Sequence, residues 1–349
     1  MARLAVVLFN LGGPDRPEAI RAFLFNLFND PAIIGAPSLI RWMIAWLIST
    51  RRAPVAKHIY AHLGGRSPLL DLTRSQAEAL RKALAVDGDR DVEVFIAMRY
   101  WHPLTEQTVA KVKAWAPDRV VLLPLYPQFS TTTTASSMTA WKRAAAEAGL
   151  GVPTSAICCY PTEDGLIQAQ ADLLRRSLAE AGQGTAGLRV LFSAHGLPKS
   201  VVERGDPYPL HVEMTARAIV EQLAVPDLDW QICYQSRVGP LEWIGPSTDA
   251  EIRRAARDGV ALVVQPIAFV SEHSETLVEL DIEYARVAKE LGVPAYHRVP
   301  AVGDHPAFIH ALADLVRRSL VAECNPCSHI DRRICPSNAI RCAQGGGLV

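Results

Sequence analysis

The sequence predicts an α/β protein built from two doubly wound domains, and three observations carry that prediction. Short β-rich runs alternate with helix-length amphipathic segments along the whole chain. The runs are apolar almost without interruption, as strands buried on both faces must be in a parallel sheet covered by helices. There are eight of them in two groups of four, and 349 residues suit two lobes better than one small core.

The first group is LAVVLF (4–9), VEVFIA (92–97), RVVLLPL (119–125) and PTSAICCY (153–160). The second is LRVLFSA (188–194), WQICYQS (230–236), VALVVQPIAF (260–269) and VPAYHRV (293–299). Helix boundaries carry their own signals: in PSTDAEIRRAARDG, Ser247 or Thr248 can cap a helix that Gly259 ends. The expected organisation is a first domain over 1–162, a second over 163–304, and a C-terminal helix and tail over 305–349. Loops at the carboxyl ends of such strands are where chemistry is placed.

Composition narrows the function classes. The chain is 49% hydrophobic and 21% charged, a globular balance. Thirty-six basic residues offset thirty-six acidic ones, which leaves no electrostatic footprint for nucleic acid. MARLAVVLFNLGGPD reads as a core strand entering a turn, not as a targeting peptide. Seven cysteines, four of them in the tail, do not make a secreted disulfide scaffold, so a reducing, cytoplasmic setting is expected. PSLIRWMIAWLIST (37–50) is too short to span a bilayer. It fits either a buried core helix or a surface helix whose Trp42 and Trp46 enter the bilayer interface, with Arg51 and Arg52 at the headgroups.

Two stretches carry the strongest site signals. In LFSAHGLPKSVVERGDPYP, His195 closes a predicted central strand, where an imidazole can accept a proton or ligate a borderline metal; a packed histidine is the alternative. In FVSEHSETLVELDIEYARVAKEL, Ser271 is a candidate cap, and Glu272, Glu275, Glu279 and Glu283 form one acidic ridge on a helix. Leu277, Leu280, Tyr284, Val287 and Leu291 make the packing stripe. Each like-charged pair four residues apart costs ~0.2–0.5 kcal/mol, and no basic residue relieves the ridge before Arg286. The ridge is either a solvated face or a row of oxygen ligands beside His273 for a cation or protons.

Weaker signals follow other strands. MRYWHPLT brings Arg99, Tyr100, Trp101 and His102 together, and YQSRVGPLEWIGP brings Tyr234, Arg237 and Trp243, each a fit for a flat, anionic, aromatic ligand. NLGGPD and LGGRSPL are glycine turns without the GxGxxG or P-loop pattern of a nucleotide site. In the tail, CNPCSHIDRRICPSNAIRC spaces Cys324, Cys327, Cys335 and Cys342 as C-x2-C-x7-C-x6-C, four soft donors for one tetrahedral centre. Composition points first to zinc.

These stretches, with LFNLGGPD, LYPQFSTTTTASS and PIAFVSEHSETLVELDIEY, resemble in order the ferrochelatases, which insert ferrous iron into a porphyrin. The resemblance covers residues 8–284; SAHGLP and SEHSETLVELDIEY are its specific motifs. It implies two Rossmann-like domains with four-stranded parallel sheets and an active-site cleft between them. It implies His195 as catalytic base and Glu275 as its acidic partner, relaying protons or guiding metal. Glu279 and Glu283 extend the iron path, His273 lies near its mouth, and Arg99, Tyr100 and Trp243 bind the porphyrin. The 37–50 segment matches the family's membrane-facing lip, which implies a cytoplasmic protein attached peripherally to the inner face of the membrane. A homodimer is compatible with this.

Many ferrochelatases carry a [2Fe–2S] cluster on C-terminal cysteines, which turns the expectation for the tail from zinc to iron–sulfur. Animal members take one ligand from mid-chain, just after YPQxS, where this chain has Thr131. Cys342 is then the expected fourth ligand, and Cys158 or Cys159 the fallback. Other classes remain open: a chelatase for coproporphyrin or cobalt, a non-catalytic haem- or iron-binding protein, or a redox enzyme built on the tail.

Overall fold

The first sheet grows around β1 (Ala2–Asn10), a strand whose residues from Leu4 to Phe9 are all at most 3% exposed. The structure is a computed structural model that describes residues 2–86, 88, 90–182, 187–237, 239 and 241–345. Val238 and Pro240 of the YQSRVGPLEWIGP stretch therefore lie outside the described residues. After β1 come α1 (Ile20–Phe28), α2 (Ser38–Ala61) and α3 (Leu69–Ala85), which lead to β2 (Arg90–Met98). Then follow α4 (Thr105–Trp115), β3 (Arg119–Pro124), α5 (Thr134–Ala148) and β4 (Thr154–Cys159). β2 and β3 flank β1, and β4 lies beyond β3, all parallel. Ala5, Val7 and Phe9 meet Val109, Val112 and Trp141 on one face, which the continuous apolar run requires.

The second sheet follows from α6 (Asp164–Ala181) and β5 (Leu188–His195), then α7 (Lys199–Glu203), α8 (Tyr208–Leu223) and β6 (Asp229–Gln235). It continues through α9 (Thr248–Asp258), β7 (Ala261–Pro266), a π-helix (Glu275–Tyr284), α10 (Ala285–Glu290) and β8 (Tyr296–Arg298). Its parallel order is β6-β5-β7-β8. Val190 and Phe192 pack against Val212 and Ile219 of α8, while Leu191 faces Ile252 and Ala255 of α9. The side chain of Ser247 caps α9 by accepting from the Ala250 amide at 3.2 Å, and Gly259 closes it at φ +68°.

α11 (Pro306–Ser319) leads to the tail, where β9 (Cys327–Ser328) pairs with β4. The first sheet thus has five strands, not the four expected. Two residues without an apolar run give no sequence signal for a strand. The pairing is held by Asn325, whose side chain accepts from the Ala156 amide and donates to the Thr154 carbonyl. The chain divides into two units: Met1–Cys159 with Leu312–Ser337 and Arg341–Val349, and Tyr160–Ala311 with Asn338–Ile340.

One further expectation is corrected, and one of two alternatives for the 37–50 segment falls away. No helix starts from a Ser271 cap; the π-helix begins at Glu275, after Ser274, whose side chain makes no cap. Its i→i+5 bonding shifts the burial register, so Thr276, Val278 and Leu280 are buried and Leu291 is exposed. α2 is not a core helix. Only a seam of Ala45, Ser49, Ala53 and Tyr60 is buried, while Leu39, Ile40, Trp42, Met43 and Trp46 are 46–72% exposed. Among the described residues no helix is long and apolar enough to cross a membrane.

In the second unit α6 and the segment at Ala307–Ala311 of α11 approach closely at Gly165. A β-carbon there would stand 2.3 Å from the Ala307 carbonyl oxygen and 2.9 Å from the Ala311 methyl. Gly165→Ala is expected to lower unfolding stability by about 1–3 kcal/mol through this overpacking, read as a lower midpoint in urea. An unchanged midpoint would mean that α6 and α11 separate at no cost.

Candidate active site

The parallel register of β5 and β6 sets His195 opposite Gln235, so two neighbouring strands end at one level. The His195 side chain is 38% exposed, and its Nδ1 lies 2.6 Å from the Gly196 carbonyl. A carbonyl only accepts, so Nδ1 carries the hydrogen and the neutral ring leaves Nε2 as its basic nitrogen. Nε2 lies 3.8 Å from Oε2 of Glu275, the first residue of the π-helix. That oxygen is buried and has no hydrogen-bond partner among the described residues. Buried acceptors are nearly always satisfied, so this one suits an arriving proton or cation.

Glu279 lies one turn further on. Its carboxylate accepts from the Ser236 amide at 2.8 Å, the Ser236 hydroxyl at 2.5 Å and the Gln235 side-chain amide at 3.0 Å. Burial, and then the charge of Glu275, raise its pKa, against which Ser236 and Gln235 act. Among the described residues neither Glu275 nor Glu279 is ion-paired with lysine or arginine. His273 takes the opposite tautomer from His195, because its Nδ1 accepts from the Glu275 amide at 3.0 Å. Burial pushes the pKa of His273 down, which keeps it neutral. Trp243 lies against Gly196, where a β-carbon would come within 3.1 Å of the indole and 3.0 Å of the Gln235 carbonyl.

The expected ridge is interrupted at Glu272. Glu272 precedes the π-helix and bonds Arg298 at 2.8 Å and the Ala301 amide at 2.9 Å. Burial works to raise its pKa, but Arg298, Thr276 and the Ala301 amide carry it below the usual range. Glu283 is exposed. Glu275 and Glu279 alone of the four face the His195 site.

Arg99 and Tyr100 belong to the first unit. Tyr100 is fully enclosed, and its hydroxyl donates to Asp30 at 2.9 Å. Arg99 pairs with the same carboxylate at 2.7 Å, accompanied by Ser136 at 2.5 Å. Its guanidinium lies 5.1 Å from the Tyr100 ring centre. The sequence reading missed Asp30, Ser236 and Gln235. FNDPA marks nothing around Asp30, and in YQSRVGPLEWIGP the aromatic and basic residues are the visible signal, not Ser236.

Six of the seven cysteines gather at the end of β4. Cys158 and Cys159 hold their sulfurs 3.4 Å apart, and Cys324 and Cys327 form a disulfide. The Cys335 thiol is hydrogen-bonded to Cys342, whose pKa this lowers to about 6, while Cys335 is pushed up. Cys327, Cys335 and Cys342 are buried. The donor element, four cysteine sulfurs of one unit, is that of a [2Fe–2S] centre once the disulfide is reduced. Their arrangement is two pairs, and among the described residues no three Cys, His, Asp or Glu side chains are grouped to hold a metal ion.

Two parallel α/β sheets, one of them ending at His195 beside Glu275, make a fold that solved chelatases share. The fold likeness extends to the sirohydrochlorin chelatase SirB from Bacillus subtilis subspecies spizizenii, solved in complex with cobalt. It matches with a TM-score of 0.50 and 11% identity over 91% of this chain and 95% of that one. A family model for ferrochelatase matches residues 3–320. A ferrochelatase of Caulobacter vibrioides (strain NA1000 / CB15N) is 59% identical over 91% of this chain and 90% of its own length. One from Phenylobacterium zucineum (strain HLK1) is 53% identical over 99% of both. The chain belongs to the ferrochelatase family.

Proposed function

We propose that the protein inserts ferrous iron into protoporphyrin IX, forming protohaem and releasing the two pyrrole protons. Family membership supports the reaction. The observation that supports its seat is the basic Nε2 of His195 facing the unpartnered Oε2 of Glu275. In this reading the neutral imidazole takes a pyrrole proton. The Glu275 carboxylate relays protons or strips water from the arriving cation, and Glu279 and then Glu283 lead outward along the iron path. His273, held neutral, stays beside them. Trp243 offers an aromatic face next to His195 for the macrocycle, and a site shaped for a distorted ring favours the transition state over the flat substrate. Arg99, backed by Tyr100, is assigned to porphyrin binding on the family pattern.

A [2Fe–2S] cluster on Cys324, Cys327, Cys335 and Cys342 is the finer part of the reading. A reducing cytoplasm opens a disulfide, which frees all four thiols, and Cys158 or Cys159 lies close enough to substitute. The cluster would hold the tail to β4, since iron insertion transfers no electrons. α2 is the proposed membrane contact: its tryptophans and aliphatic side chains face outward and Arg51 and Arg52 follow, as an interfacial helix requires. The protein would then sit on the inner face of the cytoplasmic membrane.

Three outcomes are expected. In an anaerobic assay of protohaem formation, His195→Ala loses essentially all activity while still quenching on porphyrin binding. Glu275→Gln loses more than Glu279→Gln, and wild-type rates in the histidine variant would remove it from the chemistry. Anaerobically purified protein is expected to be reddish and bleached by dithionite, with the colour lost on changing any of the four tail cysteines to Ser. One zinc per colourless chain would refute the cluster, and loss of colour on Cys158→Ser with retention on Cys342→Ser would reassign the fourth ligand. Trp42→Ser/Trp46→Ser is expected to abolish sedimentation with anionic vesicles; a change of oligomeric state instead would make α2 a homodimer contact.

A further inference from the structure

Five non-glycine residues among those described have positive φ: Ala116, Ala224, Asp227, Ser236 and Asp331. Ala116 and Ala224 terminate α4 and α8, where this conformation closes a helix. The two aspartates belong to the residue types that tolerate it. Ser236, at φ +63°, does neither. It follows the carboxyl end of β6, where an extended residue would continue the strand, and its conformation is one that only glycine adopts freely. Strain kept at such a place calls for a role.

The contacts supply one. The Ser236 amide donates to Oε1 of Glu279 at 2.8 Å, and its hydroxyl donates to Oε2 at 2.5 Å. Both donors of this one residue therefore meet one carboxylate. Gln235 completes the cradle from Nε2 at 3.0 Å and is itself fixed: its Oε1 accepts from Ser193 at 2.7 Å, and Nε2 also donates to the Glu275 carbonyl at 2.9 Å. One buried amide therefore ties β5, β6 and the first residue of the π-helix together.

We infer that Ser236, with Gln235, is the positioning residue that holds the Glu279 carboxylate for the ferrous ion while leaving it its charge. Arginine would hold a carboxylate as firmly but would cancel the charge, and the cation would gain nothing from meeting it. Neutral donors fix both oxygens without a counter-ion. The inference rests on the proposed iron insertion and deepens it: Ser236 acts through Glu279 and sets how iron is met, not how porphyrin binds.

Ser236→Gly separates this from a structural role, since it removes the hydroxyl and also relieves the backbone. A residue that served folding alone would be replaced by glycine without loss. The expected result is an equal or higher thermal midpoint and a KM for protoporphyrin IX within about twofold of wild type. kcat/KM for Fe²⁺ should fall about ten- to a hundredfold, the size set by one hydrogen bond to a charged group. Ser236→Ala, which keeps the strain and loses the hydroxyl, should show the same iron defect. Wild-type iron kinetics in the glycine variant, or an equal defect for porphyrin, would overturn the inference while leaving the reaction standing. A wild-type protein that forms no protohaem in the same assay would overturn the parent reading and this inference with it.

Discussion

Two half-buried carboxylates without a cation partner are the constraint around which the second unit is arranged. Glu275 lies close enough to repel Glu279, and burial adds to the cost of charging Glu279. A protein concerned with stability alone would pair them with arginine, as it does for Glu272 with Arg298. Here the compensation is spread over neutral donors. Ser236 and Gln235 hold Glu279, while Glu275 sits in the first turn of its helix, where the dipole favours an anion. The sheet makes this possible, because β5 and β6 run parallel in a register that ends both strands at His195 and Gln235. The two histidines are then set in opposite tautomers by what each Nδ1 meets, a carbonyl for His195 and an amide for His273.

The first unit uses the same elements for other ends. Asp30 gathers Arg99, Tyr100 and Ser136 around one buried carboxylate, here compensated by a guanidinium. α2 inverts the usual amphipathic order, burying small residues and presenting large ones. A seam of Ala45, Ser49 and Ala53 lets the helix lie close to its support, which leaves Trp42, Met43 and Trp46 outside. At the far edge of the sheet, β4 carries two cysteines and is joined by a tail that brings four more, so six of the seven cysteines lie in one place.

Local signals were legible in the sequence. The eight apolar runs became strands because burial on both faces leaves a continuous pattern, and Ser247 capped α9 because a cap depends on its own next few residues. His195 could be placed at a strand end from SAHGLP alone. What depended on distant partners was not legible. The ridge assumed four carboxylates in one row, and Arg298 draws Glu272 out of it. The fifth strand is joined to β4 with the help of one asparagine side chain, and the Tyr100 hydroxyl finds its acceptor in Asp30, seventy residues away. Ser236 was hidden for a further reason: its importance lies in a backbone angle that serine does not announce.

The most direct measurement of the account is a turnover experiment under anaerobic conditions, in which wild-type protein is mixed with a fixed excess of Fe²⁺ and protoporphyrin IX and the haem spectrum is followed in time. The account predicts many equivalents of protohaem per chain, with two protons released for each porphyrin consumed. Tight porphyrin binding with no haem spectrum, or a single equivalent that is never released, would contradict it and leave a tetrapyrrole-binding protein in place of a catalyst.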